Sequence, residues 1–94
     1  MILIAHRINS SKELLKIPHY YGVEVDLRDS SGNLILQHNP FTKGEKFEKF
    51  LKNFKHNFII LNIKSERIEF NVLKLLKKYK VKRYFFLDSS FPMI

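Results

Sequence analysis

Glu24 and Asp26 stand two residues apart in the stretch 22–27, where polar and apolar residues alternate strictly. On a β-strand, positions i and i+2 share a face, and their Cα atoms lie only ~7 Å apart. Two ionised carboxylates that close repel each other unless a cation sits between them, and hard oxygen ligands suit Mg²⁺ or Ca²⁺. The same alternation also fits a strand with one solvated face, so spacing alone leaves both readings open. Around this pair, polar residues cluster where apolar runs stop: His6 and Arg7 after 2–5, His38 after 34–37, Asn62 and Lys64 near the end of 58–63, and Asp88 after 84–87. In parallel sheets and α/β barrels, sites form at the carboxyl ends of strands. His6 and His38 titrate near neutrality and could exchange protons with an attacking and a leaving oxygen. Arg7 and Lys64 could hold a phosphate, the first as a fork and the second as a point charge. Together these types suit phosphoryl transfer. His19 and His56 fall at expected helix ends, where a surface or dipole role suffices.

The elements that must position these groups follow from periodicity. Residues 2–5 form a short apolar run typical of a buried strand. Ser10 and Glu13 make a capping box that opens a short helix through Leu14, Leu15 and Ile17, ended by Pro18. Residues 22–27 and 34–38 read as strands joined by a turn over 29–33. A hairpin centred on Ser31 would set Asp26 opposite Leu36 and Glu24 opposite His38, bringing an imidazole beside the carboxylates. Phe47, Phe50, Leu51 and Phe54 recur at helical spacing in 44–56. Ile68, Val72, Leu75, Leu76 and Tyr79 do so in 66–80, with Ser65 as candidate N-cap. Residues 58–63 and 84–88 read as buried strands. The order βαββαβαβ argues for α/β architecture with a mostly parallel sheet, whose last strand would be bare on one face.

Composition narrows the classes. The chain has 94 residues, no cysteine and a net charge of +8. Lack of cysteine excludes disulfide scaffolds, thiolate metal sites and thiol nucleophiles. No apolar run reaches the ~20 residues of a membrane span, and the start lacks the pattern of a signal peptide, so a cytoplasmic location is expected. Residues 1–40 balance four bases with four acids, and 41–94, with thirteen bases and five acids, carry the whole excess. That excess favours anionic partners, although lysines at polar helical positions also simply coat solvated faces.

In order, the residues Ile4, Ala5, His6 and Arg7, then Gly22 through Asp26, then Gly32, then Leu36 through Asn39 resemble the signature of the glycerophosphodiester phosphodiesterases. Asn62, Ile63 and Lys64 are similar to that family's later ExK. The resemblance, shared with phosphatidylinositol-specific phospholipases C, implies a TIM barrel and hydrolysis of glycerol or inositol phosphodiesters with a divalent cation. It implies that Glu24, Asp26 and Asn62 ligate the metal (Mg²⁺ or Ca²⁺), that His6 and His38 are acid and base, and that Arg7 and Lys64 bind phosphate. Asn62 replaces a glutamate and brings an oxygen without charge, which lowers the expected affinity.

The expectation is therefore a single α/β domain over 1–94, a truncated, partial TIM-barrel-like fold of about five strands and three helices. A whole barrel needs at least ~200 residues, so little activity is expected of these residues alone. The expected function is a metal-dependent hydrolase of polyol phosphodiesters or lipid headgroups. The alternatives are a degenerate barrel and a small basic module that binds nucleic acid or another anionic surface. Nucleic acid is disfavoured because Phe47, Phe50, Phe54, Phe85 and Phe86 match core spacing better than an exposed stacking platform.

Overall fold

The computed structural model describes residues 2–30, 32–37, 44–65 and 67–88. Its elements are β1 (Ile4–Ala5), α1 (Ser11–Leu14), β2 (Gly22–Ser30), β3 (Asn33–Leu36), β4 (Glu45–Lys46), α2 (Phe47–Lys52), β5 (Phe58–Ile63), α3 (Glu69–Lys78) and β6 (Tyr84–Asp88). Among the described residues the strands form one six-stranded sheet, in the order β4-β3-β2-β5-β6, with β1 also paired to β2. The β1–β2, β2–β5 and β5–β6 pairs are parallel, and β2–β3 and β3–β4 are antiparallel.

The partial TIM barrel is not what forms. The sheet is open and mixed, and the three helices among the described residues are short. Barrels depend on each strand leading through a helix to the next parallel strand. Here β2 runs on for nine residues and turns straight back into β3. Gly32, at φ 83°, supplies the left-handed conformation that this reversal needs.

That turn also shifts the hairpin by one residue from the expected register. Ser30 pairs with Asn33, and Leu27 pairs with Leu36, so Asp26 does not face Leu36. The observed register buries Leu36 beside Leu27 in the core, and a one-residue slip would turn it to the other face. The Glu24–His38 pairing followed from the expected register, and His38 lies outside the described residues.

Alternation along β2 and β5 divides the sheet into two unlike faces. Val23, Val25 and Leu27 stand beside Ile59, Leu61 and Ile63, and all six are buried with Leu14, Phe47, Phe50, Leu51, Ile68, Val72 and Leu76. The helices thus cover this face. On the other face Glu24 neighbours Ile60 and Asp26 neighbours Asn62. The expected burial of 84–88 is not found, because β6 is an edge strand with Tyr84, Phe85 and Phe86 exposed. The helices start later than the apolar spacing suggests. Glu45 and Lys46 pair with β3 before α2 begins, and α3 has Ile68, not Ser65, at its N-cap. Ser65 instead accepts the Asp29 N–H at 3.0 Å.

Candidate functional site

The first strand brings its polar end to the carboxylates by a local irregularity. Ala5 pairs with Val23, and then Arg7 takes φ 54°, which swings the chain out. It returns as Ile8 N–H donates to the Glu24 carbonyl at 2.8 Å. His6 and Asn9, on either side of this bulge, both reach β2. His6 Nδ1 lies 3.4 Å from Glu24 Oε1, with the imidazole largely exposed. Asn9 meets Asp26 twice: its Nδ2 donates to Asp26 Oδ2 at 3.1 Å, and its Oδ1 accepts the Asp26 N–H at 2.8 Å.

Asp26 is only 1% exposed, so its carboxylate survives burial through partners. Besides Asn9, Lys64 Nζ stands 3.9 Å from Asp26 Oδ1. Lys64 is fixed where β5 ends, its N–H donating to the Leu27 carbonyl at 2.8 Å. Asn62 is the Cα partner of Asp26 across the β2–β5 ladder and therefore shares its face, ~5 Å away. Its Oδ1 is buried and accepts no hydrogen bond. A buried amide oxygen without a donor is costly, about 1–3 kcal/mol, and a bound cation or donor would remove that cost.

The sequence-derived residues thus separate into groups. His6 and Glu24 meet, and Asp26, Asn62 and Lys64 gather around one stretch of ladder. Arg7 is exposed on the bulge beside them, and His38 lies outside the described residues. Asn9 was not legible as a site residue. Its only sequence signal is a polar residue three positions after His6, and its role depends on β2 lying alongside. The donors near Asp26 are hard oxygens on one face, the type a divalent cation takes. Among the described residues, no three or more His, Asp or Glu converge on one point. A cation here would lean on Glu24, Asp26 and the Asn62 amide oxygen. Two clefts, of about 310 and 290 Å³, lie away from these residues. The His6–Glu24 pair sits instead on the face the helices leave open.

No described helix is long and apolar enough to cross a membrane. Comparison with protein-family models, with curated proteins and with solved structures found no match for this chain.

Proposed function

We propose that the chain is a divalent-cation-dependent phosphodiester hydrolase acting on a glycerol, inositol or similar polyol phosphodiester, free or as a lipid headgroup. The observation that carries this is the unpartnered, buried Asn62 Oδ1 across the ladder from Asp26, on the face that also bears Glu24. Glu24, Asp26 and Asn62 would hold the cation, and when bound it polarises a phosphoryl oxygen and offsets charge that develops there. His6 donates through Nδ1 to Glu24, which orients the ring and leaves Nε2 to protonate the leaving oxygen. His38 takes the complementary role of accepting the proton of the attacking substrate hydroxyl, and water then opens the cyclic phosphate that this attack forms. Lys64, held at Asp26, and the exposed Arg7 supply positive charge for the phosphate.

Thermal melting tests this directly. Mg²⁺ or Ca²⁺ should raise the melting temperature, and glycerophosphocholine should raise it further in the presence of the ion. Glu24→Gln should abolish the first rise, and His6→Ala should remove the second alone. A metal response that Glu24→Gln leaves intact would overturn the proposal.

A further inference from the structure

At the opposite end of the sheet a second site takes shape. β5 and β6 are parallel, so their amino ends, Phe58 and Tyr84, lie together, ~13 Å along β5 from Asn62 and ~20 Å from Lys64. A cleft of about 290 Å³ opens there between the segments 54–57 and 79–83. Lys55, Lys80, Lys82 and Arg83 line it, with His56 and Asn57, and among the described residues no carboxylate does. The acid that meets Tyr79, Glu48, accepts from Tyr79 Oη at 2.9 Å and is already paired with Lys78 at 2.7 Å.

Two features show that these cations are positioned. Arg83 is held from two sides: Nη1 donates to Asn57 Oδ1, and the guanidinium stands 5.8 Å from the centre of the Phe58 ring. Lys80 occupies the left-handed turn that ends α3. Its N–H donates to the Lys77 carbonyl at 3.1 Å, and the Val81 N–H reaches back to Leu76 at 2.9 Å. Its φ is 58°. Glycine is the usual residue at this point of such a turn, and any side chain there is carried at a cost. A lysine kept in a conformation that suits glycine, on the rim of an acid-free cationic cleft, points to a role for its charge.

We infer that this cleft binds a compact, multiply charged phosphate anion of the inorganic polyphosphate type. A nucleic acid strand fits less well inside the cleft, because its bases need free aromatic faces, and the exposed rings of Tyr84, Phe85 and Phe86 are not among the cleft's lining residues. The Phe54 ring is stacked on Phe50 at 6.5 Å, and Tyr79 is tied to Glu48. A flat anionic membrane would engage exposed lysines anywhere on α2 and α3 and would not depend on Arg83 or on the turn at Lys80.

The test is calorimetric titration of the full chain with inorganic tripolyphosphate. Lys80→Gly and Arg83→Gln should each weaken binding by about three- to fivefold. Lys80→Gly should at the same time raise the melting temperature by about 4 °C, since glycine relieves the turn. Glu24→Gln should leave tripolyphosphate binding unchanged, which separates this site from the proposed hydrolytic one. Unaltered binding in both cleft variants would overturn the inference, as would an equal loss in Lys74→Gln, an α3 lysine outside the cleft. Tighter binding of single-stranded RNA or of phosphatidylserine vesicles, sensitive to Arg83, would overturn the choice of ligand.

Discussion

Replacing Asn9 by alanine probes how Asp26 is kept charged inside the protein. The wild-type amide makes two contacts with one residue, taking the Asp26 N–H at 2.8 Å and giving a hydrogen bond to Oδ2 at 3.1 Å. Alanine removes both. A hydrogen bond to a charged group contributes about 1.5–3 kcal/mol, and an orphaned buried N–H costs about 1–3 kcal/mol. Asn9 is only partly buried, so water can enter the space it leaves and recover part of this. The net loss should be about 3 kcal/mol, which for a domain of this size lowers the melting temperature by roughly 12–24 °C. Asn9→Asp should not rescue it, because the new carboxylate accepts the N–H but sets a like charge against Oδ2. Urea unfolding followed by circular dichroism measures both variants. A loss below about 1 kcal/mol for Asn9→Ala would show that Asp26 does not depend on Asn9, and the reasoning would fail.

Gly22→Ala should cost about 1–3 kcal/mol in the same assay, because the new methyl group would collide with the Phe58 ring that lies over Gly22. Burial, and secondarily the neighbouring His19 ring at 4.9 Å, lowers the His56 pKa from its usual value, while Nε2 bonds the Ile17 carbonyl at 2.7 Å. The folded protein therefore holds fewer protons here than the unfolded chain. This contribution to stability is complete above about pH 6.5 and is lost as the pH falls through the lowered folded value. His56→Leu should flatten that part of the stability–pH curve, and an unchanged slope would contradict the assignment. Hydrogen bonds from Lys78 and Tyr79 lower the Glu48 pKa. Stability from this group is present above the usual carboxylate value and lost as the pH falls through the lowered one. Glu48→Gln should remove that acid-side loss, read from melting temperatures between pH 3 and 6.

How far the sequence could be read depended on the range of the interactions involved. The N-cap half of the capping box is local, and it forms: Ser10 Oγ accepts the Glu13 N–H at 3.2 Å, and the Glu13 carboxylate reaches back to the same hydroxyl, whose O–H donates to Oε1 at 3.1 Å. Alternation in 22–27 placed Val23, Val25 and Leu27 on the core face, because period two is fixed by the strand itself. Apolar spacing likewise identified Ile68, Val72 and Leu76 as the buried stripe of α3. The hairpin register was not legible, because one glycine decides whether two residues or three close the turn. Phe85 and Phe86 read as core because an apolar run does not reveal whether its strand ends up at an edge. The site was legible in part. His6 meets Glu24, and Asp26 adjoins Asn62 and Lys64, but the burial of Asp26 and its dependence on Asn9 arise only when β1 and β2 lie side by side. The resemblance that suggested a barrel draws on strand ends, and an open mixed sheet can present these equally well.

The side-chain amide of Asn62 offers the most direct measurement. Its NH₂ signals can be followed by heteronuclear NMR as Ca²⁺ or Mg²⁺ is added, first alone and then with glycerophosphocholine. The account predicts a saturable shift of these signals together with those of His6, both lost in Glu24→Gln. Asn62 signals that stay in place at saturating ion, or that move equally in Glu24→Gln, would contradict it.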